Sequence, residues 1–399
     1  MSEWKECTLK DVAEKFAMGP FGSNIKAENF TTSGVPVIRG TNLNFYKYVA
    51  GGFVFLTEGK ANQLKSSYCF PGDLVFTHRG TIGQVGLIPV GKYPKYIISQ
   101  SGMKVTVNSN LIDNEFLFYF FKSPRGQHEL LQHESQVGVP SISNPLTSLK
   151  SVSLLLPTLP EQQAIASVLS SLDDKIDLLH RQNETMEAMA AALFRQWFVE
   201  EVNDCWENKP LGNYVSVVDN RGKTPPNREE YTPYPVIEVN ALGGKDRLVD
   251  YSAIKKYVDE ETYRLWFRDN LQKFDILIST VGSIGAISMY VIEKGNIAQN
   301  VIGLHANNIS PFYLYQILRF KAEEILQFDI GGVQPSIKVP HLLSIKIAIP
   351  SGEMQNKFDN QLLMFVEKME CNYKQIRTLE KLRDTLLPKL MSGEVRVAV

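Results

Sequence analysis

The sequence has few of the features that mark secreted, metal-stabilised or membrane proteins. It contains four cysteines among 399 residues, with no Cys-x-x-Cys pair and no histidine cluster nearby. This spacing excludes a zinc ribbon or a disulfide scaffold and is typical of a reducing cytoplasm. Met1–Glu6 is polar and lacks the apolar core of a signal peptide. The longest apolar run, near Leu154–Leu156, is too short to span a bilayer, so we expect a cytoplasmic protein.

The sequence also lacks a basic arm. Lys and Arg total 42, Asp and Glu total 43, and the formal net charge is −1 at pH 7. Any contact with nucleic acid must therefore come from basic side chains that cluster only in the folded structure. Hydrophobic residues make up 44% and charged residues 21% of the chain. This composition is typical of globular domains and argues against disorder.

Nucleotide-binding and catalytic motifs are missing or broken. Gly86–Tyr93 has the Walker spacing, but Tyr93 stands where a Ser or Thr would hold magnesium. Gly222–Thr224 has the Walker ending, but Pro225-Pro226 blocks the helix that must follow. Asn144-Pro145-Leu146 lacks the second proline and the aromatic residue of the loop that amino-methyltransferases use. The sequence predicts a chain that is not an enzyme and has no metal or cofactor of its own.

A weak internal repeat runs along the chain. Leu9 and Leu211 open the two copies, and four further pairs of segments follow in the same order: Val35–Leu43 with Tyr234–Leu242, Asp73–Gly83 with Asp275–Gly285, Val139–Ile142 with Gln334–Ile337, and Leu156-Pro157 with Ile349-Pro350. One match could arise by chance, but five in order indicate a duplicated unit. We expect a globular part at residues 1–159, a helix at 160–200, a second globular part at 201–350, and a helix with a tail at 351–399.

Each globular part mixes short strands with helices. Asp73–Thr77 and Asp275–Ser279 are β-rich runs bounded by turn residues, whereas Asn114–Lys122 and Pro311–Gln327 have helical patterns. The order of a doubly wound parallel sheet is not evident. The predicted fold class is therefore α+β, with two similar globular domains related by a pseudo-twofold internal repeat.

The two predicted long helices carry a heptad pattern. Apolar residues recur with 4, 3, 4, 3 spacing over Ile165–Trp197 and again over Phe358–Leu390. A 3.5-residue repeat of this length is typical of a coiled-coil seam, although two ordinary core helices would be an alternative. We predict that the two helices pair with each other as an antiparallel coiled coil.

The register of that pairing singles out two asparagines. An antiparallel alignment that places Ile165 opposite Leu390 also places Asn183 opposite Asn372. Buried seam asparagines commonly fix the register of a coiled coil by bonding each other. We expect Asn183 and Asn372 to be neighbours; the alternative is that each faces solvent.

Polar residues around the repeated strand ends are candidate nucleic-acid contacts. Gly80–Gly83 and Gly282–Gly285 place two glycines around a small hydroxyl residue, which suits close approach to phosphate oxygens. Arg79 and Gln84 flank the first loop and are good readers of base edges. The alternatives are a plain tight turn for the loops and a solvated surface for the side chains. The full set of candidates is Ser23, Asn24, Lys26, Thr41, Asn42, Arg79, Thr81, Gln84, Gln100, Arg221, Lys223, Asn240, Thr280, Ser283, Gln299, Gln334 and Lys338.

Several segments together resemble a known family. Leu156–Gln163 leads into the first helix with Pro-Glu-Gln-Gln, and Leu172–Ile176 follows it. Ile349–Gln355 is a degraded copy in which Gly352 replaces the proline, and Leu386–Val395 resembles the family's C-terminus. With the repeated strand and loop blocks, these segments resemble the specificity subunit of a type I restriction-modification enzyme over essentially the whole chain.

This resemblance implies how the chain works. Each globular part would be a target-recognition domain that reads one half of a bipartite, asymmetric site in double-stranded DNA. The paired helices, with a seam of roughly 50 Å at ~1.5 Å per residue, would set the spacing and dock two methyltransferase subunits. Restriction subunits would join them, and S-adenosylmethionine, ATP and magnesium would belong to these partners. A second hypothesis stays open, in which the chain is a non-enzymatic coiled-coil scaffold whose globular ends bind other proteins.

Overall fold

A computed structural model describes residues 4–43, 47–135, 138–201, 206–220, 225–244, 246–292, 294–331 and 334–398. Contacts divide the chain into two compact units, Met1–Asp177 with Thr378–Val399, and Leu178–Arg377. Each unit therefore contains one globular part and a portion of each long helix.

The described part of the first unit is built from two four-stranded sheets, two two-stranded sheets and a set of short helices. Its strands are β1 (Lys5–Thr8), β2 (Ala13–Met18), β3 (Val35–Ile38), β4 (Val54–Leu56), β5 (Tyr68–Cys69), β6 (Leu74–Thr77), β7 (Val85–Leu87), β8 (Tyr96–Ile98), β9 (Gly102–Val107), β10 (Glu134–Ser135), β11 (Ser141–Ile142) and β12 (Ser153–Leu156). Its helices are α1 (Leu9–Val12), α2 (Glu58–Asn62), α3 (Asn114–Lys122), α4 (Pro124–Leu131) and α5 (Pro145–Lys150), followed by the start of α6 (Leu159–Arg195). One four-stranded sheet has the antiparallel order β2-β9-β6-β7, and the other has the order β4-β3-β8-β5 with β3 parallel to β8.

The second unit repeats this topology. Its strands are β13 (Glu207–Pro210), β14 (Val215–Asp219), β15 (Tyr234–Ile237), β16 (Tyr257–Val258), β17 (Ile276–Ser279), β18 (Ile287–Met289), β19 (Asn296–Ile297), β20 (Val301–Ala306) and β21 (Lys346–Ile349). Its helices are α7 (Glu260–Leu265), α8 (Pro311–Phe320), α9 (Ala322–Leu326), α10 (Val339–Leu343) and most of α11 (Gly352–Ser392). The order β14-β20-β17-β18 matches β2-β9-β6-β7, β16-β15-β19 matches β4-β3-β8, and the pair β13-β21 matches β1-β12. The predicted α+β fold with an internal repeat is confirmed.

The repeated aspartates hold the starts of the repeated buried strands. The carboxylate of Asp73 accepts a 2.8 Å hydrogen bond from the Phe70 amide and pairs with the buried Lys104. The carboxylate of Asp275 accepts a 2.8 Å bond from the Gln272 amide, and its partner on β20 is His305 at 2.8 Å. Because each charge is buried, it needs these partners to offset its desolvation.

Two equivalent glutamines clamp the long helices to the globular parts. Gln162 accepts a 2.9 Å bond from the amide of Asp113, the N-cap of α3, and donates to the Pro157 carbonyl. Gln355 does the same in the second unit, since it accepts a 2.7 Å bond from the Ser310 amide at the start of α8 and donates to the Pro350 carbonyl. The clamp therefore aligns Gln355 with Gln162 and Pro350 with Pro157. In this alignment Glu353 stands at the position of Pro160 and Gly352 at that of Leu159, so the predicted replacement of the proline by Gly352 is wrong by one residue.

Within each unit, α6 and α11 pack against each other. In the first unit, Ile165 and Leu390 are buried in one core, and Arg383 binds the carboxylate of Asp173 at 2.9 Å. In the second unit, the rings of Trp197 and Phe358 lie 6.1 Å apart. Rising residue numbers in α6 match falling numbers in α11, so the pairing is antiparallel, as predicted.

The described parts of the chain contain no helix that is both long and apolar enough to cross a membrane. Within the same parts, no group of three or more His, Cys, Asp or Glu side chains is arranged to hold a metal ion. Cys7, Cys69 and Cys371 are free thiols, and Cys205 lies outside the described residues.

Candidate nucleic-acid interface

The glycine loop that follows β6 is fixed by its backbone. Gly80 and Gly83 have φ values of 86° and 83°, in the left-handed region that favours glycine. The Gly80 amide donates to the Pro140 carbonyl at 2.9 Å, and the Ile142 amide donates to the His78 carbonyl at 2.9 Å. The loop is therefore paired along one side with the segment that contains β11.

A second segment lies on the other side of this loop. The His78 amide donates to the Ser101 carbonyl at 2.9 Å, and His78 Nε2 lies 3.2 Å from the Gln100 carbonyl. The Thr77 hydroxyl closes the turn itself, because it donates to the Thr81 carbonyl and accepts from the Gln84 amide. Burial lowers the pKa of His78 below its ordinary value, and the nearby Arg79 adds to that effect.

The second unit reproduces the loop bond for bond. Gly282 and Gly285 have φ values of 86° and 75°, and the Gly282 amide donates to the Pro335 carbonyl at 3.0 Å. The Ser279 hydroxyl donates to the Ser283 carbonyl, as Thr77 does to Thr81. The remaining equivalent bonds are Ile337 amide to Thr280 carbonyl at 2.8 Å and Thr280 amide to Asn300 carbonyl at 2.9 Å. The glycines and the strand-end hydroxyls therefore build the turn, which was the plain alternative for these residues.

Five candidates of the first unit lie around its loop. Arg79, Thr81 and Gln100 are exposed on the loop and on the segment beside it. Gln84 is half-buried and its side chain lies against Gly40. A Cβ atom built on Gly40 would be 3.1 Å from Gln84 Oε1. Thr41 follows Gly40 in the chain and is exposed, so it lies near Gln84. We call Thr41, Arg79, Thr81, Gln84 and Gln100 the first recognition face.

Two other candidates of this unit lie on a neighbouring segment. Asn24 and Lys26 are exposed, on a segment that begins where the Gly19 amide donates to the Gly102 carbonyl at 2.9 Å. The side chain of Ser23, on the same segment, is outside the described part of the structure.

In the second unit, the exposed candidates around the loop are Ser283, Gln299, Gln334 and Lys338. The side chain of Gln334 lies beside Gly282: a Cβ atom built on Gly282 would lie 3.5 Å from Gln334 Nε2. We call these four residues the second recognition face. Asn240 is not part of this face, because it is exposed but donates to the Ala253 carbonyl at 2.9 Å. Arg221 and Lys223 lie outside the described residues.

Two candidates have structural roles that the sequence did not indicate. Asn42 is 1% exposed, and its side-chain amide accepts from the Arg39 amide at 3.0 Å and donates to the Ala50 carbonyl at 2.9 Å. Thr280 is also 1% exposed, and its hydroxyl donates to the Asn300 carbonyl at 3.3 Å. Both side chains are buried and hydrogen-bonded to the backbone of neighbouring loops. They therefore stabilise these loops and do not contact a ligand.

One exposed residue was missed. The Phe21 side chain is 75% exposed and lies two residues after Gly19. A Cβ atom on Gly19 would lie 1.8 Å from the Ser99 carbonyl oxygen, so only glycine allows this close approach. Phe21 is thus held beside the first recognition face. The signal in the sequence is the glycine on each side of the aromatic residue, Gly19-Pro20-Phe21-Gly22.

Comparisons with known proteins agree with this architecture. Residues 1–188 and 203–381 match the family model described as type I restriction modification DNA specificity domain. The chain is 28% identical to the type I restriction enzyme MjaIX specificity subunit of Methanocaldococcus jannaschii, over 99% of this chain and 94% of that protein. It is 22% identical to the type I restriction enzyme HindI specificity subunit of Haemophilus influenzae, over 99% of this chain and 100% of that protein.

A solved structure is similar in fold. The crystal structure of the S subunit of a type I restriction-modification system from M. genitalium aligns with a TM-score of 0.59 at 19% identity, covering 97% of this chain and 96% of that one. The two matched domains fall on the two halves of the repeat. The chain belongs to the type I restriction-modification DNA specificity family.

Proposed function

We propose that this chain is the sequence-specific DNA-recognition subunit of a type I restriction-modification complex, in which each globular part reads one half of a bipartite, asymmetric site. One observation carries the proposal: the two units share a loop scaffold bond for bond but expose different side chains on it. Two domains that read different base sequences on one common fold would share a loop scaffold and differ in the side chains that it exposes.

The differences fall at positions that suit base readout. Arg79 of the first unit corresponds to Val281 in the second, and Gln84 corresponds to Ala286. An arginine can bind guanine O6 and N7 with two hydrogen bonds, whereas a glutamine whose Oε1 is buried, as in Gln84, can contact a base edge only as an Nε2 donor. Valine and alanine offer only apolar contact, so the two loops cannot prefer the same bases.

The hydroxyl and cationic candidates suit the DNA backbone. Lys26 and Lys338 are exposed cations near the two loops, and Thr81 and Ser283 are exposed hydroxyl residues on them. Contacts of this kind with phosphate oxygens fix the position of a protein on DNA without reading its sequence. We therefore assign positioning to these four residues and base readout to Arg79, Gln84, Gln100, Gln299 and Gln334.

The long helices suit a second role, in spacing and docking. Met189 of α6 and Leu363 and Met364 of α11 are apolar side chains exposed on the helices, and docked subunits would cover them. The proposed partners are two methyltransferase subunits, joined by restriction subunits. S-adenosylmethionine, ATP and magnesium would bind to those partners, and the complex would work in the cytoplasm.

Mapping of methylated bases across the host genome, with and without the gene, tests the proposal. We expect a split, asymmetric motif that disappears with the gene. A chain with Arg79→Val should change one half of the motif and leave the other half and the spacer intact. An unchanged motif in the deletion strain would contradict the proposal.

The spacing role has its own experiment. Adding one heptad to both α6 and α11 keeps the seam in phase, and it should lengthen the spacer of the methylated motif without changing either half. The same spacer in the lengthened chain would contradict the role of the helices in spacing.

A scaffold protein is the second candidate, favoured by the net charge of −1, because isolated DNA-binding proteins are usually more basic. A gel shift with the partner methyltransferase at low and moderate salt separates the two functions. Binding to DNA that weakens with salt supports recognition, and the absence of such binding supports the scaffold.

A further inference from the structure

A cavity opens in the second unit at a place that the recognition loops do not use. Its volume is about 440 Å³. One wall is a face of α11, where Glu370, Lys374 and Arg377 follow each other at intervals of one turn. The other walls come from segments next to β15, β16 and β18 and include the exposed ring of Tyr231 and the ring of Tyr257.

The charges that line this cavity are unbalanced. Four cations, Lys273, Lys294, Lys374 and Arg377, face a single carboxylate, Glu370. Lys374 and Lys273 bind one carboxylate oxygen each, at 2.8 and 3.0 Å. Burial opposes the charge of Glu370, but these two bonds hold its pKa below the ordinary value. Glu370 is therefore ionised, and both of its oxygens are occupied.

Two cations of the cavity have no carboxylate partner in the part of the chain that the structure describes. Lys294 lies over the ring of Tyr234, with Nζ at 5.5 Å from the ring centre. The guanidinium of Arg377 lies 5.9 Å from the ring centre of Tyr373. Rings hold a cation in place with less energy than a carboxylate does. An anionic ligand would therefore find two oriented cations that it can neutralise.

The walls between the cations are apolar and favour a particular anion. Pro233, Pro235 and Ile254 line the cavity between the charged groups. A bare phosphate would leave these surfaces uncovered, whereas a peptide with both acidic and aliphatic side chains would cover them and meet the cations. Charge complementarity and a buried apolar contact are the usual ingredients of such protein interfaces.

The position of the cavity separates it from base recognition. The strands β17 and β18 form a hairpin whose turn carries the Gly282 loop. Lys273 precedes β17 and Val291 follows β18, so the cavity lies at the open end of the hairpin. The four residues of β17 span about 13 Å at ~3.3 Å each. A ligand in the cavity can therefore be bound while the loop contacts DNA.

We propose that this cavity binds an acidic peptide segment of a partner protein through Lys294 and Arg377. The site does not depend on DNA recognition, so the two proposals can fail separately. Its role would be to fasten a partner to the second unit, on the face formed by α11 and the open end of the hairpin.

The test uses the full chain and a fluorescein-labelled peptide of alternating Glu and Leu residues, followed by fluorescence anisotropy at low and moderate salt. We expect binding that weakens with salt. The double variant Lys294→Gln/Arg377→Gln should weaken it by at least about tenfold. The matched control, Lys357→Gln/Lys368→Gln, removes two exposed cations of α11 that do not line the cavity and should bind like the unaltered chain.

Two further measurements make the result specific. Glu370→Gln removes the competing carboxylate and should tighten peptide binding several-fold. The double variant should still shift DNA as the unaltered chain does. The proposal is overturned if the peptide does not bind, if the double variant binds it equally well, or if that variant loses DNA binding in parallel, which would make the cavity a nucleic-acid contact.

Discussion

Asn372 donates a 2.9 Å hydrogen bond from its side-chain Nδ2 to Oδ1 of Asn183, across the seam between α11 and α6. The two side chains are 0% and 2% exposed, so neither faces solvent. Asn183 makes a second hydrogen bond, in which its Nδ2 donates to the carboxylate of Asp246 at 3.1 Å. A buried amide pair of this kind tolerates only the register in which both partners meet.

A double-mutant cycle measures this pair. Asn372→Ala or Asn183→Ala leaves the other amide buried without its partner, so each should lower the free energy of unfolding by about 1–3 kcal/mol. The double variant should cost less than the sum of the two, because it leaves no orphaned amide. Urea unfolding gives the values, with the exposed Lys368→Ala on α11 as control. Strictly additive effects would show that the bond contributes nothing.

The heptads predicted this contact because a coiled-coil seam is a local property of the sequence. The spacing of Ile165, Asn183 and Trp197 fixes which faces of the helices meet. The two loops could also be located from the sequence, because Gly80 and Gly282 stand at equivalent positions of the repeat. Both residues have positive φ angles in the structure. Family membership and architecture could therefore be reached before any coordinates.

The functions of single polar residues could not be reached in this way. Asn42 and Gln100 look equivalent in the sequence, yet one is buried in a loop brace and the other is exposed. The difference depends on carbonyls such as that of Ala50, which only the folded chain brings within 2.9 Å. Phe21 was missed for a related reason, because exposure depends on the packing of Gly19 against Ser99.

Arg79 is predicted to determine the preference for one base. Arg79→Ala should remove about 1–3 kcal/mol of discrimination at a single position of one half-site. The measurement is selection of bound duplexes from a randomised pool, with the methyltransferase partner present. Lys10→Ala, an exposed cation on α1, is the matched control and should leave the selected sequence unchanged. An Arg79→Ala chain that selects the same bases with the same stringency would remove Arg79 from the recognition face.

Phe21 is predicted to stack on or wedge against a base of the same half-site. An aromatic ring that is 75% exposed beside a recognition face gains contact area only when a ligand covers it. Phe21→Ala should weaken DNA binding by about 1–3 kcal/mol, whereas Phe21→Trp should retain it. Val90→Ala alters an equally exposed apolar side chain (84% exposed) on the β7–β8 connection and serves as control. Equal losses in Phe21→Ala and Val90→Ala would mean that exposure alone, and not position, explains the effect.

His78 makes the first recognition face sensitive to pH. Burial and the charge of Arg79 lower its folded-state pKa below the ordinary value of 6.5, so the unfolded chain binds the proton more readily than the folded loop. Stability from the neutral imidazole is therefore fully present above pH 6.5 and is lost as the pH falls through the lower folded pKa. Hydrogen-exchange protection of the Gly80 and Ile142 amides, which tie the loop to its neighbours, should fall over that window. His78→Gln stays neutral and should abolish the pH dependence, while His133→Gln, an exposed histidine, should preserve it. If protection in the unaltered chain were the same above and below the window, His78 would have no part in holding the loop.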